Sequence, residues 1–344
     1  MLYITTRDKT NAFTAPRTLS MDRGPEGGLF VPFRMPELEP CRIEQLAEKS
    51  FGQAVADVLN LFFSAGLTGW DVDFAVGRAP VRLIAMNHRI WMAEQWRNQA
   101  WDFSWLVEHL TLRLTGTSQT TTDWGRTAVR IAALFGIFAE LQRNGALDSG
   151  HPIDVAVASG DFSAPMAVWY ARRMGLPIGM IICSCNENGA PWDLLNHGQI
   201  HTDAIAVDTG LREADYSVPP ALERLIFSVL GYEQTQRYCE ACRQGRLYSV
   251  PRDKVELLRD RLFGAVVSRT RLEDVIRNVY RTNAYILDPY TAIAYGGLQD
   301  YRAQTGESGN ALILSEQAPA CYADLVSNAL GITPQELQRR INAG

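Results

Sequence analysis

The stretch IDVAVASGDFSAPMAVWYARRMGLPIGMIIC, residues 153–183, decides the fold class of the chain. It starts with a continuous apolar run at 153–158, turns at 159–163, has helical composition at 165–174 and ends in a second apolar run at 178–183. Apolar strands joined by a helix are typical of a parallel sheet that helices cover on both faces. The stretch therefore predicts an α/β fold.

Periodicity and turn residues place further elements on both sides of this unit. The predicted elements are, in chain order, strands at 3–6 and 29–33 around the turn-rich run GPEGG, a helix at 44–64, a buried strand at 81–86, a core helix carrying four tryptophans within 91–114, an apolar helix at 126–143 and a strand at 311–314. The remainder after residue 183 is predicted to be mostly helical.

Composition excludes several classes of protein. The chain has 344 residues, is 47% hydrophobic and carries a net charge of −5, which indicates a folded chain of two or three domains. Its basic residues are scattered, so we expect no nucleic-acid partner. No apolar run approaches the roughly 20 residues that span a bilayer, and the charged start is unlike a signal peptide. Six cysteines in a chain of this length predict reduced thiols and a cytoplasmic location.

Lysine is rare in this sequence. Only Lys9, Lys49 and Lys254 are lysines among 33 basic residues. Any mechanism that needs a lysine amine therefore has three candidates.

Several blocks of the sequence carry a joint resemblance to a known family, at 3–7, 25–32, 158–162, 174–177, 186–188, 222–225, 287–292 and 311–319. Together, and in this order, they resemble threonine synthase, a pyridoxal-phosphate enzyme of the tryptophan-synthase-β-like, fold-type II class. The resemblance implies a threonine-synthase-like N-terminal region at 1–80. It also implies that 81–344 are the remnant of the large domain, a parallel sheet flanked by helices.

The departures from the family pattern concern its cofactor site. Trp101 stands where the resemblance places the cofactor lysine, and a Schiff base needs a primary amine. The family's small domain is replaced by a threonine-rich run, so the resemblance implies a deletion around 115–125. In the phosphate-binding loop Asp161 replaces an asparagine and Ser163 a glycine. We therefore expect no cofactor.

These departures leave two functions open. The first is an enzyme of lyase or cyclase type, independent of pyridoxal phosphate and acting in specialised metabolism on an amino-acid-like substrate with a phosphate or sulfate leaving group. The alternative is a non-catalytic pseudoenzyme that serves as a scaffold or binding subunit. In the first, Asp161 or Glu316 is the expected catalytic base. The expected substrate- and anion-binding residues are Arg89, Arg97, Ser159, Asn186 and Tyr290.

A missing domain also predicts a partner. The face that the small domain would cover is expected to be apolar, and exposed apolar patches mark interaction surfaces. We expect a small protein partner, giving a heteromer, or self-association at that face. No metal is expected, because Cys239 and Cys242 lie in a helical stretch, Cys183 and Cys185 end a core strand, and the histidines form no metal motif.

Overall fold

The computed structural model describes residues 1–78, 81–86, 89–96, 103–118, 122–147 and 151–343. Its strands are β1 (Leu2–Thr5), β2 (Phe13–Thr14), β3 (Phe30–Pro32), β4 (Arg82–Ala85), β5 (Ile90–Glu94), β6 (Ile153–Ala158), β7 (Ile178–Cys185), β8 (Gln199–His201), β9 (Leu247–Ser249), β10 (Leu262–Val266) and β11 (Ala311–Ser315). Its helices are α1 (Ala15–Ser20), α2 (Pro40–Glu44), α3 (Phe51–Phe63), α4 (Gly69–Val76), α5 (Phe103–Thr115), α6 (Asp123–Arg143), α7 (Ser163–Arg173), α8 (Ala190–His197), α9 (Leu222–Leu230), α10 (Tyr232–Gln244), α11 (Arg252–Arg259), α12 (Arg269–Asn283), α13 (Pro289–Thr305), α14 (Ala323–Leu330) and α15 (Pro334–Ala343).

The central sheet has six strands in the order β10-β7-β6-β11-β5-β4. All neighbouring strands are parallel except β4, which pairs antiparallel with β5 at one edge. Since side chains alternate along a strand, Val155 and Val157 of β6 pack into a core with α3, α6 and α7, whereas Ala156 packs into a second core with α12 and α13. Helices thus cover both faces, as the sequence predicts.

Two sequence predictions in the first half are wrong. The strand predicted as buried at 81–86 is the edge strand β4, whose side chains are half-buried or exposed. The core helix predicted over 91–114 does not form as one element, because Trp91 lies in β5 and only 103–115 are helical. Trp105, on α5, is 63% exposed. Trp101 lies outside the described residues.

Capping residues set the helix ends that periodicity alone misses. The helix predicted at 44–64 is interrupted at Lys49, and α3 begins after Ser50, whose hydroxyl accepts from the Gln53 amide in a capping box. Similarly, α6 begins after Thr122, whose hydroxyl accepts from the Gly125 amide. This earlier start places Asp123 on the first turn of α6.

Two adjacent buried residues of α9 connect the N-terminal strands to α6. Glu223 accepts from Arg7, with an Nη2 to Oε2 distance of 2.8 Å. Arg224, with a fully buried side chain, donates to the carbonyl of Phe30 at 3.1 Å and forms an ion pair with Asp123. The antiparallel sheet β2-β1-β3 is thereby fixed to the start of α6. We call Glu223 and Arg224 the α9 clamp.

Candidate functional site

A cavity of about 410 Å³ opens where β6 and β11 end. Its wall includes Ala158 and Leu314 from the last residues of these parallel strands, the loop that follows β6, one face of α6 and a segment at 213–216. The carboxyl ends of parallel strands are the usual ligand position in open α/β sheets. This cavity is therefore the candidate functional site.

One face of α6 supplies the cations of the cavity. Asp123, Arg126, Thr127 and Arg130 line it, at spacings that place them on one side of a helix. Arg130 donates to Ser163, and its Nη2 lies 3.2 Å from Oε2 of Glu316. Burial would lower the pKa of Arg130, but nearby carboxylates, Glu316 foremost, raise it, so the guanidinium stays charged.

Arg126 differs from Arg130 in having no hydrogen-bond or ion-pair partner among the described residues. Its side chain is exposed at the cavity wall and makes no hydrogen bond or ion pair within the described part of the chain. A guanidinium in this state is available to an anion, which it binds with a planar set of donors.

The loop after β6 directs a carboxylate to the start of α7. Gly160 has φ of 42° and Phe162 has φ of 69°, a left-handed turn that brings Asp161 back over the helix. Oδ1 of Asp161 accepts from the Ser163 amide at 2.8 Å and from the Ser163 hydroxyl at 2.5 Å. Asp161, the residue before the N-cap Phe162, thus satisfies the first amide of α7 with its side chain.

Ser159, at the start of this loop, has an unpaired hydroxyl. The residue is 1% exposed and lines the cavity, and its Oγ has no hydrogen-bond partner among the residues that the structure describes. Its backbone amide donates to the carbonyl of Ser184, which fixes its position. A buried hydroxyl without a partner is unusual in a folded protein.

The segment 209–216 brings Glu213 and Tyr216 to the cavity. Asp215 anchors it, because its carboxylate accepts from Thr209 and from the side-chain amides of Asn186 at 2.7 Å and Asn188 at 3.1 Å. The Glu213 amide in turn donates to the Tyr290 hydroxyl at 3.3 Å. Asn186 therefore positions the segment through Asp215.

Four of the residues expected from the sequence line the cavity together: Ser159, Asp161, Tyr290 and Glu316. Asn186 is not in the wall. The structure places Arg89 at the other end of the strands from the cavity, because its carbonyl accepts from the amide of Ala311, the first residue of β11. Strands β5 and β11 are parallel, so the loop before β5 lies at their amino ends, whereas the cavity lies at the carboxyl end of β11. Arg97 lies outside the described residues.

Sequence reasoning missed Arg126, Arg130 and Glu213. The two arginines are four residues apart on a predicted apolar helix, and this spacing predicts that both lie on one polar face of the helix. Glu213 carries no such signal, because the Asp215 network that places it joins residues far apart in the chain.

The cysteines and histidines that the structure describes do not form a metal centre. Among the described residues no group of three or more His, Cys, Asp or Glu side chains could hold an ion. Cys239 lies on α10, and burial raises the pKa of its thiol to about 12. His197 ends α8 and His201 lies in β8, so the two do not share a helical face. No described helix is both long and apolar enough to cross a membrane.

Comparison with known proteins gives one consistent relationship. Residues 2–79 match the family described as threonine synthase N terminus. Threonine synthase-like 1 from Homo sapiens is 26% identical over 190 residues, which are 52% of this chain and 24% of that protein. Threonine synthase from Corynebacterium glutamicum is 28% identical over 196 residues, 54% of this chain and 40% of that enzyme. The matched region is thus less than half of either relative.

Solved structures show the same fold. Pyridoxal-phosphate-bound threonine synthase from Brucella melitensis has a TM-score of 0.85 at 16% identity, covering 99% of this chain and 94% of that one. Threonine synthase from yeast has a TM-score of 0.83 at 18% identity, covering 98% and 93%. The predicted α/β fold, a mostly parallel sheet flanked by helices, is confirmed.

The residues of the cavity do not fit pyridoxal phosphate. The first amide of α7, which a phosphate would use, already donates to the Asp161 carboxylate. A Cβ placed on Gly160 would lie 2.6 Å from the carbonyl oxygen of Glu213, so a second oxygen faces the loop. All three lysines lie in described parts of the chain and none lines the cavity: Lys9 lies over the ring of Tyr232, Lys49 pairs with Asp57, and Lys254 is on α11.

Proposed function

We propose that this chain, a threonine synthase-like protein with the threonine synthase fold, is an enzyme that works without pyridoxal phosphate. Its substrate would be an amino-acid-like molecule that carries a phosphate or sulfate leaving group. The observation that carries the proposal is an open cavity whose wall combines carboxylates with the guanidinium of Arg126, which is unpaired among the described residues. Apolar side chains filling this space would instead favour a scaffold.

The proposed reaction needs no electron sink. An amine nitrogen of the substrate attacks the carbon that bears the leaving group, a carbon–nitrogen bond forms, and the carbon–oxygen bond breaks. The phosphate or sulfate leaves with the bonding electron pair, and the proton lost from nitrogen passes to a carboxylate. Elimination would use the same base to remove a proton from carbon.

The contacts distinguish the two candidate bases. Glu316 is ion-paired with Arg130, whereas the carboxylate of Asp161 makes no salt bridge in the described chain and accepts from Ser163. Within the described chain Oδ2 of Asp161 makes no hydrogen bond or ion pair, so it is free to take a proton from the substrate, whereas Oε2 of Glu316 is held by Arg130. Asp161 is therefore the proposed base, and Arg126 the proposed ligand of the leaving group.

The cofactor part of the proposal is tested by the visible spectrum of the purified chain before and after pyridoxal phosphate is added. We expect no absorption band beyond that of free cofactor. A stable band of bound cofactor that is lost on substituting Lys9, Lys49 or Lys254 would contradict cofactor independence.

The reaction is tested by release of inorganic phosphate or sulfate from a panel of O-phospho and O-sulfo amino acids. We expect Asp161→Asn to lower kcat by about 10²-fold, and Arg126→Gln to lower kcat/KM by about tenfold to a hundredfold. Arg339→Gln, at an exposed arginine on α15, is the matched control and should leave the rate unchanged. Equal rates for Asp161→Asn and the unaltered chain would remove Asp161 from the mechanism.

We also propose a small protein partner on α4 and α5. Trp70 and Phe74 stack with centroids 5.5 Å apart on α4 and are 68% and 74% exposed. Trp105 and Leu112, seven residues apart on α5, are exposed as well. Helix α5 leads into the run at 116–122, where the deletion is expected. The alternative pseudoenzyme would use this same face, without turnover in the cavity.

A further inference from the structure

The charges around the cavity are only partly matched by the protein itself. Asp123 is paired with Arg224, and Glu316 with Arg130. Asp161 and Glu213 form no salt bridge with a described residue, although the charges of both help to raise the pKa of the buried Arg130 guanidinium. Asp161 accepts from Ser163, and Glu213 accepts from the Gln317 amide at 3.1 Å. The wall carries four carboxylates but only two guanidinium groups, those of Arg126 and Arg130, so it offers an excess of negative charge that a cationic group of a ligand can match.

The carboxylates of Asp161 and Glu213 belong to segments in close contact. The carbonyl oxygen of Glu213 would lie 2.6 Å from a Cβ on Gly160, the residue before Asp161. The pKa of the Tyr216 phenol is raised mainly by burial. The charges of Asp161 and Glu213 raise this pKa further, so both carboxylates lie near the phenol. Like charges in one cavity disfavour each other's ionised form, so a cation between them would stabilise both.

The unpaired hydroxyl of Ser159 is an independent sign of a ligand. It is buried, it lines the same cavity, and it lies two residues before Asp161. A hydroxyl without a partner in the protein is satisfied when a ligand donates to it. Ser159, Asp161 and Glu213 together offer three acceptors, the number of N–H donors on a primary ammonium.

We propose that Ser159, Asp161 and Glu213 form a subsite for a protonated amino group, so that the ligand is a primary amine that also bears an anionic group. The inference rests on the proposed function in taking the cavity as the substrate site. A metal ion is the less suitable occupant, because no described group of three metal-ligating side chains lies here. The subsite deepens the proposal by requiring a free amine for elimination as well as for displacement. In displacement, the bound ammonium first loses a proton to Asp161, and the neutral nitrogen then attacks.

The test is calorimetric binding to the full chain of O-phospho-L-serine, its N-acetyl derivative and inorganic phosphate. We expect the free amine to bind at least tenfold more tightly than the N-acetyl compound. Glu213→Gln and Ser159→Ala should remove that difference and leave binding of inorganic phosphate unchanged. Glu307→Gln, an exposed glutamate after α13 that does not line the cavity, should change none of the affinities.

Equal affinity for the amine and its N-acetyl derivative, or no binding of either, would overturn the subsite. An unchanged preference in Glu213→Gln would do the same, and because this side chain is exposed the variant should fold even where Ser159→Ala does not. Amine-selective binding without release of phosphate or sulfate would instead refute only the proposed function. Release from the N-acetyl compound as fast as from the amine would refute the subsite and the amine displacement, and would leave elimination as the proposed reaction.

Discussion

Asp288 is a buried carboxylate close to the site, two residues before Tyr290 of the cavity wall. It caps α13 by accepting from the amides of Tyr290 and Thr291, and it is 1% exposed. Burial raises its pKa to about 6, against the lowering effect of those hydrogen bonds. The folded chain therefore binds this proton more tightly than the unfolded chain does.

The pH dependence of stability follows from that sign. Because the folded pKa of Asp288 is raised, its stabilisation is present below the unfolded value of 3.8 and is lost as pH rises through about 6. The difference of about two units corresponds to at most about 3 kcal/mol. We expect the unaltered chain to lose stability relative to Asp288→Asn between pH 4 and pH 6.5, in urea unfolding at a series of pH values. A constant difference across that range would contradict a raised pKa.

At this scale the sequence predicts part of the site. Four residues of the cavity wall can be identified from the sequence, because each lies in a block that resembles a known family and sits at the end of a strand or the start of a helix. These residues are Ser159, Asp161, Tyr290 and Glu316. The position of Glu213 at the cavity cannot be predicted from the sequence, because hydrogen bonds of Asp215 with residues distant in the chain determine it. Arg89 lies at the other end of the strands from these residues. Closeness in sequence to a strand does not say at which end of the sheet a loop lies.

Among the elements, the α9 clamp has the clearest energetic role. Arg224 is fully buried and joins the Phe30 carbonyl, Thr127 and Asp123. Removing one partner of a buried pair leaves a charge without compensation, which costs about 3 kcal/mol or more.

We expect Arg224→Met to lower the free energy of unfolding by about 3 kcal/mol, measured in urea. The double variant Arg224→Met with Asp123→Asn should recover part of the loss, because the unpaired carboxylate is then neutral. Arg237→Met, whose exposed pair with Glu233 lies on α10, is the control and should change stability by less than about 1 kcal/mol. Fully additive losses in the double variant would mean that Arg224 acts by packing alone.

Elements that are determined by residues close together in the sequence can be predicted from this sequence. Elements that depend on pairing with a distant segment cannot. The unit β6–α7–β7 follows from apolar runs and a glycine stop. Strand β10 was missed, because it is a short apolar run with Gly264 in its middle among helices, and its pairing with β7 spans some eighty residues of chain. The four tryptophans suggested a helix because they are evenly spaced, but β5 ends before α5 begins.

For the whole molecule, the partner face on α4 and α5 makes a stoichiometric prediction. We expect the chain purified from its native host to carry a small protein in a defined ratio by native mass spectrometry. The double variant Trp70→Ser with Phe74→Ser should lose that protein, with unfolding free energy changed by about 0.5 kcal/mol or less. Phe33→Ser, an exposed aromatic after β3, should retain it. A chain that stays a bare monomer at high concentration would contradict the partner, and a homodimer would show self-association instead.

The placement of the three lysines has a practical consequence. Lys9, Lys49 and Lys254 all lie away from the cavity, on the N-terminal region and on α11. Reagents that acylate lysine, such as biotin esters or cross-linkers, will therefore attach without touching the cavity wall. The chain can be immobilised through these amines with its cavity unmodified, which allows ligand screening on a sensor surface.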